Sequence, residues 1–177
     1  MPLPLNDLDR WEEVLNGRII KVEPSSFEIH QKVTHNILKI LENYLENKEC
    51  RVYGSGVGVS LTDNDNFIPD AMVISNLEII KSDGGVYGAP DLIAEVLSDE
   101  SESSDRGYKK QMYEKHGTKE LWLVCPKSLS IEVYHLIQNK FKQIGIYEYS
   151  QNKHTSFKLS ILNNLEIKLE DIFINCN

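Results

Sequence analysis

Apolar residues recur at helical spacing through Ile29, Val33, Ile37, Leu41 and Leu45, which predicts a long helix reaching Asn47. Ser25-Ser26-Phe27-Glu28 offers a capping box at its start. Ahead of it, Asn6 to Leu15 reads as a short helix with Trp11 and Leu15 on one face, and Asn16-Gly17 then turns the chain into a strand, Arg18 to Val22. Beyond the long helix the pattern shortens to strands at Arg51–Tyr53, Val57–Leu61, Phe67–Ser75 and Asp91–Ser98, the last opened by Pro90. Ser101 to His116 predicts a second helix, closed by Gly117. Strands follow at Glu120–Cys125, Ile131–Leu136 and Phe141–Tyr147. The tail, Phe157 to Phe173, predicts a strand or two and a short helix near Leu169-Glu170-Asp171-Ile172. This order predicts an α/β or α+β fold with a central mixed β-sheet flanked by helices. With 177 residues and no linker or repeat, one domain over 1–177 is expected.

Composition narrows the class. The chain is 41% hydrophobic and 26% charged, and no apolar run approaches the roughly 20 residues of a membrane span. Met1 to Arg10 lacks the basic and apolar regions of a secretory signal, so a cytoplasmic protein with no membrane partner is expected. Cys50, Cys125 and Cys176 are odd in number and far apart, which disfavours a disulfide framework or a thiolate zinc site. A formal charge of −8 counts against tight nonspecific binding of nucleic acid. Its distribution softens the objection: Lys140, Lys142, Lys153 and Lys158 oppose only Glu148 between 139 and 159.

The candidate chemistry lies on the strands opened by Pro69-Asp70 and Pro90-Asp91. Alternation puts Asp91, Ile93, Glu95 and Leu97 on one face and Leu92, Ala94 and Val96 on the other. A carboxylate among buried apolar residues loses hydration worth several kcal/mol, so Glu95 needs a cation, a hydrogen-bond donor or a metal beside it. Asp70 poses the same problem, and one metal between the two strands would solve both. Asp105, Lys109 and Tyr113 fall at i, i+4 and i+8, so Lys109 can reach a site at the strand end or form a surface ion pair with Asp105. Asp91 reads equally as a further ligand or a cap at its strand's start. His30 and His35 read as surface or core-edge residues of the long helix. Gly54-x-Gly56-x-Gly58 leads into a strand, not a helix, so a phosphate loop is rejected. Asp63-Asn64-Asp65-Asn66 reads as a hairpin turn, not a calcium loop.

From Glu13 to Pro126 the sequence resembles the Uma-type restriction endonuclease family of the PD-(D/E)XK nuclease superfamily. The resemblance is carried by Glu13-Val14-Leu15-Asn16-Gly17, His30, Pro69-Asp70, Pro90 to Ser98, Asp105 to Tyr113, Gly117 and Glu120 to Val124. It implies a restriction endonuclease-like core and an Mg²⁺- or Mn²⁺-dependent endodeoxyribonuclease acting on DNA. Asp70 and Glu95, with the Val96 carbonyl, would hold the metal. The position of the usual strand lysine is Leu97, and the resemblance assigns that role to Lys109 on the following helix, with Lys110 as competitor. Cys125 and Thr118-Lys119 depart from the family pattern at positions expected to affect packing. Glu46-Asn47-Lys48 and Glu166-Ile167-Lys168 match the acid-x-lysine string without a preceding Pro-Asp strand and are set aside. Cutting both strands with one site per chain would be simplest as a homodimer, and Trp122 is expected in the core in preference to that interface. A noncatalytic nucleic-acid-binding or assembly module on the same fold is the alternative, and a phosphoesterase for small diesters a third.

Overall fold

The computed structural model describes residues 12–21, 28–149, 155–159, 161–162 and 165–176. Its strands and helices run β1 (Glu12–Leu15), β2 (Arg18–Lys21), α1 (Glu28–Leu45), β3 (Arg51–Gly54), β4 (Val59–Thr62), β5 (Asp65–Phe67), β6 (Ala71–Ile74), β7 (Val86–Tyr87), β8 (Leu92–Val96) and α2 (Glu102–Ser104). A π-type turn (Asp105–Lys109) joins α2 to α3 (Lys110–His116). Then come β9 (Glu120–Cys125), β10 (Ser130–Ile137), β11 (Lys140–Glu148), β12 (Ser156–Lys158), β13 (Glu166–Lys168) and α4 (Leu169–Ile172).

A six-stranded sheet in the order β11-β10-β9-β8-β6-β3 forms the centre. β8 and β9 run parallel and the other neighbours antiparallel, so the mixed central sheet of the sequence reading is present. The parallel pair is joined through α2 and α3, the long crossover that parallel strands require. Alternation buries both faces. Val73, Leu92, Ala94, Val96, Trp122 and Val124 pack with Val33, Ile37 and Leu41 of α1 on one face, and the tail elements join them. Met72, Ile93, Leu97, Leu121 and Leu123 pack on the other face with Met112 and Tyr113 of α3 and with Phe67. Trp122, 1% exposed, belongs to the core as expected.

A second sheet, β2-β1-β5-β4-β7, lies alongside, and β12-β13 form a small third. The helix expected over Asn6–Leu15 is corrected where it can be seen: Glu12–Leu15 is a strand, while Asn6 to Trp11 lie outside the described residues. Pairing explains this, because β1 lies between β2 and β5, and Glu13 and Val14 are both buried. Asn16 and Gly17 form its two-residue turn with φ of 50° and 76°, positive values that Asn-Gly accepts and most pairs do not. Val22 and most of the Ser25–Glu28 capping box also lie outside the described residues.

The strand expected over Phe67–Ser75 is two strands in different sheets, β5 and β6. Pro69, with no N–H and a fixed φ, ends the ladder between them, and Asp70 sits where the chain crosses from one sheet to the other. The helix expected over Ser101–His116 is interrupted by the π-type turn, a feature often found at functional sites. Gly117, at φ 92°, closes it as the pattern predicts.

Candidate functional site

The pairing Ala71↔Ala94 of β6 and β8, continued one step, sets Asp70 beside Glu95. Asp70 lies just before β6, where the Val96 N–H runs past the end of the ladder and donates to Asp70 Oδ2 at 2.8 Å. Ser55 Oγ, from the glycine-flanked loop after β3, donates to Asp70 Oδ1 at 3.2 Å. His30 reaches in from the first turn of α1, with Nε2 3.5 Å from Asp70 Oδ2. Burial alone would lower the proton affinity of His30; the hydrogen bond and charge of Asp70, the Val96 carbonyl and the charge of Asp105 outweigh it and raise its pKa above the usual value. Asp70, whose side chain is 17% exposed, keeps partial access to solvent.

Glu95 is held deeper, on the face of β8 that packs toward α3. Tyr113 Oη donates to its Oε1 at 2.6 Å, and Lys109 Nζ lies 3.7 Å from the same oxygen. The ammonium is closer to Glu13 Oε1, at 2.8 Å, and to Asp105 Oδ1, at 3.1 Å. Lys109 therefore sits among three buried carboxylates, and the surface ion pair with Asp105 that the spacing alone permitted is ruled out. Burial raises the Glu95 pKa well above the carboxylate range; Lys109 pulls it down, while Asp105, Asp70 and Glu13 push it further up. Lys109 responds oppositely to the same field. Burial alone would favour the neutral amine, yet Glu95, Asp105 and Glu13 hold its pKa well above the usual value, so it stays an ammonium. Burial and the Glu95 carboxylate keep the Tyr113 phenol protonated and donating.

Glu13, Asp70, Glu95 and Asp105 thus bring four carboxylates against one permanent cation, Lys109, and a histidine. This surplus of hard oxygen donors, with one carboxyl already favouring a proton, fits a divalent cation, which would take the place of that proton. Among the described residues no three His, Cys, Asp or Glu side chains form a ready-made metal cage.

Of the residues singled out by sequence, Asp70, Glu95, Val96 and Lys109 come together here, joined by Asp105 and Tyr113. Lys110 does not compete: its Nζ lies 3.5 Å from the Tyr134 ring centroid, away from the carboxylates. Asp91 is a cap, accepting from the Ser75 N–H and Oγ and pairing with Lys119. Glu166 and Lys168 lie exposed on β13. Three further participants carry no role in the local pattern: His30, which reads as a surface or core-edge residue, Ser55, in the rejected glycine loop, and Glu13, which falls in the expected first helix; the resemblance includes Glu13 and His30 but gives neither a role. An acid beside Val14, just before an Asn-Gly turn, was the available signal for a half-buried strand carrying a charge.

The architecture has a solved counterpart. The chain matches the crystal structure of a "putative nuclease belonging to DUF820" from Anabaena variabilis ATCC 29413 with a TM-score of 0.73. The match has 18% identity and covers 92% of this chain and 89% of the other, so the two share a fold. A Synechocystis sp. protein described as "Uncharacterized protein slr1290" is 26% identical over 135 residues, covering 71% of this chain and 70% of its own length. Residues 1–170, a span that takes in Glu13, His30, Asp70, Glu95 and Lys109, match the family model described as "Uma2: Putative restriction endonuclease", and the chain belongs to that family.

Proposed function

We propose that the protein is an Mg²⁺- or Mn²⁺-dependent endodeoxyribonuclease with its site at Asp70, Glu95, Val96 and Lys109. The family and the nuclease-like fold support a nuclease function and a nucleic-acid substrate. The observation that carries the finer reading is the surplus of carboxylates around Lys109 beside the half-buried Asp70. Asp70, Glu95 and the Val96 carbonyl would hold the cation, which when bound supplies an activated water and offsets charge on the scissile phosphate.

The protein's own groups set the stage for that chemistry. His30 and the Val96 N–H fix the Asp70 carboxylate, while Tyr113 fixes Glu95. Lys109 does not act as a base, because the acids around it hold its proton. Its role is electrostatic: a fixed positive charge at the strand end, favouring the negative charge that develops on phosphate. In this reading residues 1–177 form one cytoplasmic domain, and two copies related by a twofold axis cut the two strands of a duplex.

One observation favours a noncatalytic nucleic-acid-binding or assembly module instead: Lys109 is only 4% exposed. Calorimetric Mn²⁺ titration and plasmid nicking, with circular dichroism to check folding, separate the readings. Asp70→Ala and Glu95→Ala are each expected to stay folded while losing Mn²⁺ binding and nicking together. A wild type that binds no Mn²⁺, or folded variants that still nick, would sink the metallonuclease assignment.

A further inference from the structure

β2 is the outer strand of its sheet, and all four of its residues are exposed. Side chains alternate along a strand, so among the described residues neither face of β2 is covered: Arg18 and Ile20 project from one and Ile19 and Lys21 from the other. Ile19 and Ile20 remain 55% and 44% exposed. β1, by contrast, is rooted in the body through Glu13 and Val14. The turn is fastened as well. The Gly17 N–H donates to the Asn64 carbonyl and the Asn16 N–H to Asp65 Oδ1, both at 2.9 Å. The result is a stiff two-stranded ribbon whose outer strand projects from the body.

Its position and charge indicate what it meets. Ile20 is the cross-strand partner of Glu13, the residue that grips Lys109, so the ribbon begins at the wall of the candidate site. Several cations elsewhere are paired, as in Lys32–Glu28, Lys119–Asp91, Arg106–Glu132 and Lys140–Glu114. Arg18 and Lys21 are exposed, and Lys21 faces Glu12 across the ribbon. Of the basic stretch noted after residue 139, Lys140 is paired and Lys153 lies outside the described residues.

We propose that the β1–β2 ribbon is the element that docks duplex DNA against the candidate site, with Arg18 and Lys21 on backbone phosphates and Ile19 and Ile20 lying along the groove. A two-stranded ribbon is one of the shapes the major groove admits, and exposed basic side chains on both faces suit phosphates on both of its walls. Arg18 and Lys21 also place two exposed cations beside the site in a chain of net charge −8. This inference rests on the nuclease reading of the neighbouring site.

The test is anisotropy titration of a fluorescent DNA duplex in EDTA at several salt concentrations. It compares wild type, the Arg18→Ala/Lys21→Ala double variant and Lys158→Ala as a control on β12, with circular dichroism, light scattering and Mn²⁺ calorimetry on each. Loss of two phosphate contacts lowers the slope of log affinity against log salt by about 2. Mn²⁺ binding is expected to stay unchanged, and the control to keep the wild-type slope. An unchanged slope in a folded double variant, or an equal fall in the control, overturns the proposal. So does a double variant that lowers molar mass while each protomer binds duplex as before, which would make β2 a contact between copies. If wild type nicks plasmid while the double variant binds like wild type, only the ribbon's role is lost. If wild type binds no duplex, the nuclease reading falls with it.

Discussion

Lys109 is the residue on which the buried charges balance. Its ammonium serves Glu13, Asp105 and Glu95 at once, and no water replaces it there because all four groups are buried. Removing one partner of a buried ion pair costs about 3–5 kcal/mol, since the remaining charge is left without solvent or counter-ion. Lys109→Met is therefore expected to lower urea-unfolding stability by that order; a loss below about 1 kcal/mol would show that the ammonium is not what neutralises the acids. The sequence showed this residue and three of its neighbours because they break a rule or keep a period. Glu95 is an acid in an apolar strand, and Asp105 and Tyr113 share a helix face with Lys109. Glu13 gave only the weak signal of an acid before an Asn-Gly turn, and His30 none beyond its place in the long helix. Each reaches the site only through a pairing with a distant segment, Glu13 through β1 against β5 and His30 through α1 over β6 and β8, and one sequence does not display such pairings.

At the scale of elements, the buried Asp65 ties three pieces of structure together. It accepts from the Asn16 N–H in the β1–β2 turn, from Thr62 Oγ1 at 2.7 Å and from Tyr108 Oη at 2.7 Å in the π-type turn. Burial would raise its pKa, but these donors and His116 outweigh burial and lower it. For a carboxyl with a lowered folded pKa, the stability is present above the unfolded value of about 3.9 and is lost as pH falls through the folded value. Asp65→Asn should thus be less stable than wild type at neutral pH and converge with it in acid; parallel urea midpoints across that range would refute the assignment. The same carboxylate keeps the Tyr108 phenol protonated up to about 12, after burial, so the bond persists at neutral pH. Most elements were legible in the sequence: α1 from its period, β9 from its apolar run, and the helix stop from Gly117. The failures fell at Glu12–Leu15 and Ile68–Asp70, where cross-strand pairing and a proline between two sheets override local preference.

For the whole molecule, the surplus of buried acid links protons to metal. The Glu95 pKa is raised, by burial first and then by Asp105, Asp70 and Glu13. Its contribution to stability is complete below the unfolded carboxylate value and is lost as pH rises through the folded one. A divalent cation at Asp70 and Glu95 would displace that proton. Mn²⁺ affinity should therefore climb with pH over the same interval and release protons in calorimetry across buffers of different ionisation heat; pH-independent binding without release would remove Glu95 from the ligand set. Such binding would also stabilise the fold by mass action, by about 2.7 kcal/mol at a hundredfold excess over Kd. Among the described residues no helix is long and apolar enough to cross a membrane. The crossing of the chain between two sheets at Pro69 has a further consequence. The Ile68 N–H donates to Glu13 within the second sheet and the Val96 N–H to Asp70 within the first, so what joins the sheets at the site is Lys109, held between Glu13 and Glu95. A brief parting of the second sheet from the first would draw Glu13 away from Lys109 and dissolve the cluster while both amides and most of the central sheet stayed paired. How often the sheets part sets how much of the time the site exists.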